Sequence, residues 1–414
     1  MFRIFFELKD LFKERFDPKK RGKINSRFKI ILILLNKIFS IPLYVIFKLF
    51  NLKLFSSSLE ALGHQVFDLE SFIEENKEKN ISFKLLISID KLHIANRHFF
   101  LNYQKKNIKC IVVKDKFLSL ILNYQKKNSH LIFDSFKYTA NEEAKSYELL
   151  KNKFIKNDFY NILKSDLEFG NNFLKKKNIY GKKIVLIHAR DKFYRPHDEE
   201  ELRNSSIEIL NSSIDWLIKN DYSVIRVGHH GSKNVKLNKK VIDLTDLKNH
   251  VEKEILSIFL SNICEIFIGS SSGAKTFAAI FGKPILTINS APLSHSLEFC
   301  KYGISLPKLY KMNNKILKFK EVIDITDKEY DYDSNLNNYR RDSFYSSRGI
   351  EFINNNEENV LEATKEIIQK KMSNDFKENE NQLKFRKILS NSYCKNALGS
   401  ISSTFIEKNK ELLE

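Results

Sequence analysis

At 414 residues, 42% of them hydrophobic and 29% charged, the chain is too long for a single core and too apolar for disorder, so two globular domains are expected. Its net charge of +19 invites an anionic partner, but the lysines are scattered along the chain and no basic helix with interleaved stacking aromatics occurs, which sets nucleic acid aside. Cys110, Cys264, Cys300 and Cys394 lie far apart, without the pairing of a zinc site or a disulfide framework, as suits small buried side chains in a reducing cytoplasm.

The N-terminus carries charges throughout its apolar pattern and no small-residue cleavage site, so it does not read as a signal peptide. From 28 to 50 the run FKIILILLNKIFSIPLYVIFKLF is intensely apolar but interrupted by Asn36, Lys37, Pro42 and Lys48. A lysine at the centre of a spanning helix costs about 2.5–3.5 kcal/mol, and a span is therefore disfavoured. Two readings stay open: a segment lying on an anionic leaflet, aided by Lys19, Lys20, Arg21, Lys23 and Arg27, or a helical hairpin covering the first domain. Residues 1–58 are accordingly set apart as an N-terminal helical extension.

Residues 59–175 open with a loop and helix containing Gly63 and His64, after which KLLISID, NIKCIVVKD and HLIFD alternate with amphipathic stretches. This is the pattern of a smaller α/β domain. The pentapeptide YQKKN occurs at 103–107 and 124–128, a recurrence that so lysine-rich a composition produces by chance. The basic, Asn-rich stretch at 171–183 reads as a hinge, which places a second domain at 176–370 and a solvated helical tail at 371–414.

Chemistry concentrates between 183 and 289, where three apolar strands each end in polar residues. KIVLIHARD stops at His188, Arg190 and Asp191; YSVIRVGHHGS ends at Arg226 and Gly228; EIFIGSSSGAK places Gly269, Ser270, Ser271, Ser272 and Gly273 between a strand and a helix. Short apolar runs alternating with helix-length segments form a doubly wound parallel sheet, whose ligands lie beyond the carboxyl ends of the strands. An arginine there offers a planar fork to phosphate. His188 suits acid–base work or a sugar contact, and Asp191 suits pinning the arginine or accepting from hydroxyls.

The GSSSG loop offers glycines, hydroxyls and helix N-terminal amides to a phosphate, but it lacks both the Walker ending and the dinucleotide spacing, and Lys275 supplies neither. Ser271 has no strong partners as a hydrolase nucleophile. His229 and His230 are adjacent, so their side chains diverge and make a poor metal pair. Asp243 reads either as a base or ribose ligand or, with Asp246, as a cap for a helix starting near Val251. No metal ligand set is assigned.

Taken together, these residues resemble a bacterial glycosyltransferase family found with surface-polysaccharide genes. The likeness runs over 60–370 and rests on Gly63 and His64; on His188, Arg190 and Asp191; and on Arg203 with Asn204. It continues through Arg226, Gly228 and Asp243, the Ser271, Ser272, Gly273 turn, Phe281 to Pro284, Asn289, Pro307 with Lys308, and Asn355 with Glu358. The segment at 242–245 and the GHHGS loop depart from the family pattern, which leaves acceptor and base open. The resemblance implies a GT-B-like α/β fold of two Rossmann-like, doubly wound domains, with no cofactor beyond a nucleotide-sugar donor. The donor would be held by Arg190, Arg203, Asn204, Arg226, Gly228, the 269–273 loop and Asn289, with His188, Asp191 and Asp243 as catalytic candidates. A surface glycan or lipid-linked acceptor is expected, in the cytoplasm or at the inner face of its membrane, with peripheral contact through 28–50. The alternatives are another glycan-modifying transferase, such as a pyruvyl transferase, or a non-catalytic nucleotide- or glycan-binding protein.

Overall fold

The computed structural model describes residues 42, 45–55, 59, 61–78, 85–89, 94–103, 108–113, 122, 140–157, 159–192, 201–228, 235–327, 340–390 and 392–414. Most of the expected N-terminal extension, the HLIFD run, both YQKKN copies beyond Tyr103, and His229 and His230 lie outside the described residues.

In the N-terminal lobe β1 (Leu52–Phe55), β2 (Leu85–Ile89) and β3 (Lys109–Val113) pair in parallel in that order. β1 falls among the residues set aside as a helical extension. The four residues LKLF are too few to show a period beside the apolar run before them. The helix Leu62–Glu78 follows β1 and packs with Ala140–Lys156, burying Phe55, Phe72 and Phe154 in a shared core.

The C-terminal lobe is built on β4 (Lys183–His188), β5 (Tyr222–Arg226), β6 (Ile242–Asp243), β7 (Ile266–Ser270), β8 (Ile285–Ser290) and β9 (Gly303–Pro307). Beyond β9, β10 (Leu309–Met312), β11 (Lys315–Ile316) and β12 (Ile350–Ile353) form a small antiparallel sheet, and β13 (Ser400–Ile401) returns to the main one. The main sheet has the order β13-β9-β8-β7-β4-β5-β6, with every pair parallel. From β4 the chain winds outward through β5 to β6, jumps back to β7 on the other side of β4, and winds outward again through β8 and β9. This is the doubly wound order 3-2-1-4-5-6, in which the crevice opens between the strands where winding reverses. Along β4, Ile184 and Leu186 enter one core while Val185 and Ile187 enter the other, so both faces are covered and the strand reads as an unbroken apolar run.

Two expectations about the lobe's limits change. Residues 171–176 are the last turns of the helix Lys164–Lys176, which packs on the helix His250–Ile263 of the C-terminal lobe instead of forming a hinge. The tail is not solvated: β13 lies beside β9, and Phe385, Phe405 and Ile406 are buried in its core. Contacts across the lobes include Asn96, whose amide donates to the Glu254 carbonyl at 3.0 Å, and the His98–Asp166 pair at 2.9 Å. Among the described residues no helix is long and apolar enough to cross a membrane.

The Lys164–Lys176 contact is tight enough to test. A Cβ on Gly170 would lie 2.1 Å from the ring of Phe259, which is fully buried. Gly170→Ala should therefore lower the stability of the C-terminal lobe by roughly 1–3 kcal/mol in urea denaturation, despite alanine's better helix propensity.

Candidate active site

Parallel pairing aligns His188 with Gly269, so the loops leaving β4 and β7 start side by side at the switch point. The Arg190 amide donates to the Ser270 hydroxyl at 2.7 Å, fixing the two loops together. His188 bridges further. Its Nδ1 lies 3.1 Å from the Val227 carbonyl, which only accepts, so Nδ1 carries the proton; its Nε2 then accepts from the Ser272 hydroxyl at 3.0 Å. Burial pushes His188 down from 6.5 to about 4, with the Arg226 charge acting in the same direction against the Val227 bond and Asp191. At neutral pH the ring is uncharged.

The glycines here serve that ring. Gly228 has φ of +119°, and a Cβ on it would sit 2.3 Å from His188 Nδ1; a Cβ on Gly269 would meet the His188 carbonyl at 2.7 Å. Ser272 caps the short turn that follows, accepting from the Ala274 amide at 3.3 Å.

Arginines and a lysine surround this knot. Arg203 Nε donates to the Ser271 carbonyl at 3.2 Å, and the 201–204 turn carrying it is held by Asp342, which accepts from the Glu201 and Leu202 amides at 2.6 Å each. Lys308 Nζ donates to the Asn204 carbonyl at 3.1 Å, and burial lowers Lys308 to about 8 against the pull of Asp342. Arg340 donates to His295 Nε2 at 2.7 Å. Burial, then Arg340 and Arg203, hold His295 well below its ordinary range, so it too is neutral.

The expected site residues thus divide. His188, Arg190, Ser270, Ser271, Ser272, Gly273, Arg203 and Gly228 meet at the switch point, with Asn204 just behind and Asp191 half-buried immediately past β4. Arg226 bonds Asp243 at 2.9 Å, and the other Asp243 oxygen accepts from the Thr245 amide and hydroxyl at 2.8 and 2.6 Å. Both oxygens of Asp243 are therefore engaged, and Asn249, not an aspartate, caps the helix His250–Ile263. Asn289 is fully buried; it bonds Ser205 and Asn355 and ties the 204–205 turn to the end of β9. Lys275 reaches inward to Glu298.

Across the crevice stands the start of helix Leu62–Glu78. A Cβ on Gly273 would lie 2.9 Å from the Gly63 nitrogen, so the turn after β7 and the opening of this helix touch through bare backbone. The next residue, His64, keeps a third of its side chain exposed, and its Nδ1 lies 3.5 Å from the buried Asp68 carboxylate one turn along. Gly63, His64 and Lys308 were visible in the sequence without an assigned role; His295 and Arg340 join the rim only through the fold.

No family model and no curated protein matches this chain. Among solved structures it is similar to the E. coli ADP-heptose LPS heptosyltransferase II, at 9% identity over 58% of this chain and 86% of that one, with a TM-score of 0.38. It is also similar to the E. coli heptosyltransferase WaaC with ADP-2-deoxy-2-fluoro heptose, at 11% over 61% and 91%, TM-score 0.36. The wall teichoic acid polymerase TagF matches at 11% over 70% and 74%, TM-score 0.28. Scores of this size carry no argument about the site, which stands on its own strand order and contacts.

Because His188 is held neutral, the fold resists its protonation. The unfolded chain takes up that proton near pH 6.5 and the folded one only near 4, so His188 supports stability above 6.5 and its contribution drains away as pH falls toward 4. Between pH 7 and 4.5 the loss attributable to this residue should be about 2–3 kcal/mol. Urea midpoints of wild type and His188→Gln at the two pH values should show the wild type losing more by that amount.

Proposed function

We propose that the chain is a glycosyltransferase, moving a sugar from a nucleotide-sugar donor to a glycan or lipid-linked acceptor. The observation that carries the reading is the meeting, at the switch point between β4 and β7, of Arg190, Arg203 and the 271–273 turn, faced by the backbone of Gly63, the residue before His64, in the other lobe. Doubly wound sheets take nucleotides at that place, and guanidinium groups with hydroxyls suit a diphosphate.

In this reading the donor diphosphate lies over the 271–273 turn, where Arg190 and Arg203 meet the negative charge that grows as the glycosidic bond breaks. The turn leads into a helix of only five residues, Thr276–Ile280, so the side chains supply most of that field. Arg226 acts from behind, oriented by Asp243. His188 holds Ser272 in place as a neutral ring, and Asp191 accepts from donor hydroxyls. The proton of the acceptor hydroxyl goes to His64, with Asp68 behind it to balance the charge. The donor is a substrate, no resident cofactor is called for, and the acceptor is met at the cytoplasmic face of a membrane.

Titration calorimetry with nucleoside diphosphates tests the reading directly. Wild type should bind at least one of them, and Arg190→Ala should weaken that binding by about 1.5–3 kcal/mol, roughly ten- to hundredfold, with folding checked by thermal shift. His64→Ala should leave diphosphate affinity unchanged while lowering transfer by about 10²–10⁴-fold. Absence of any nucleoside-diphosphate binding by the wild type sinks the assignment.

A further inference from the structure

The helical turn at 45–49, just before β1, packs the wrong way round for a core element. Phe47 alone is buried, against Leu54 and Leu122, whereas Val45, Ile46, Leu49 and Phe50 are 45%, 44%, 75% and 67% exposed. An apolar side chain on a monomer surface is ordinary, but four within six consecutive positions make a patch. The sequence leading into it, from 28 onward, continues the same apolar character.

The sequence that flanks the patch is one-sided in charge. From 18 to 59 the chain contains no aspartate or glutamate, and every charged residue is Lys or Arg, including Lys48 inside the patch and Lys53 on β1. That combination discriminates among occupants. A second copy would bring the same positive charge face to face, and a neutral apolar partner would have no use for it. Bilayer surfaces of anionic lipid offer both an apolar layer for Leu49 and Phe50 and phosphates for the flanking cations.

We infer that the patch at 45–50 is a peripheral docking surface for an anionic lipid leaflet. Phe47 fastens it to the N-terminal lobe, so docking fixes the orientation of that lobe at the bilayer. The inference adds to the proposed transfer the surface on which an acceptor is met, but its test needs no donor.

The full chain is mixed with phosphatidylcholine vesicles, with and without phosphatidylglycerol, and the bound fraction is measured by flotation. Binding should rise at least about tenfold with the anionic lipid and fall back at about 0.5 M salt. Leu49→Ser with Phe50→Ser should lose roughly tenfold or more, with circular dichroism and nucleoside-diphosphate affinity like wild type. Equal binding to both vesicle types, no binding to either, or a salt-resistant dimer abolished by the double variant each overturns the inference. Vesicle binding without diphosphate binding leaves the docking surface standing and removes the transferase reading; the converse result does the opposite.

Discussion

Side-by-side pairing of β4 with β7 is the constraint on which the rest of the molecule depends. His188 stands opposite Gly269 across that pair, and because the chain winds away from it in both directions, the loops after the two strands diverge and leave a crevice. A side chain at 269 would press on the His188 carbonyl, and one at 228 would strike its ring. Small residues around the crevice are thus demanded first by protein packing. The same holds at Gly273, where a Cβ would collide with the backbone of the other lobe.

That constraint decides what the imidazole can be. Packed between two glycines, donating to a carbonyl and accepting from a serine, His188 is buried and has no carboxylate in hydrogen-bond contact among the described residues, so its neutral form wins. A neutral ring suits a rim crowded with cations, since a further positive charge there would repel Arg226 and be repelled by it. His295 repeats the arrangement beside Arg203 and Arg340. Both imidazoles serve as hydrogen-bonding struts within a basic wall.

The part of this wall that lies at strand ends was legible in the sequence. Apolar runs that stop abruptly at His, Arg, Gly and Ser marked β4, β5 and β7, and parallel pairing then brought their ends to one edge, as the alternation of strands and helices had implied. Roles were harder to read than places. The resemblance put Asn289 among the donor-binding residues; in the fold it has φ of +48° and is buried, bonded to Ser205 and Asn355. Asp243 looks like a base, but Arg226, seventeen positions earlier, becomes its neighbour only when β5 and β6 pair. The helices after 371 read as solvated because their apolar positions are sparse, although β13 and Phe405 close the sheet edge. In each case the deciding contact is long-range, where local pattern carries no information.

The electrostatics of the C-terminal wall bear on how the proposed transfer would divide proton and phosphate chemistry across the crevice. The C-terminal wall drives imidazoles toward neutrality, His188 to about 4 and His295 well below its ordinary range, so neither is a good place to store a proton taken from an acceptor. The same field would be an asset for the departing diphosphate of the proposed transfer. A group that must accept a proton works better outside it, with a carboxylate close by. The proposed acceptor of that proton, His64, is carried by the other lobe, is partly exposed with Asp68 one turn along, and directly follows Gly63, whose backbone touches Gly273. Sites that must handle both charges place their groups in unlike surroundings, and the proposed mechanism does so by giving phosphate to the C-terminal lobe and the proton to the N-terminal one.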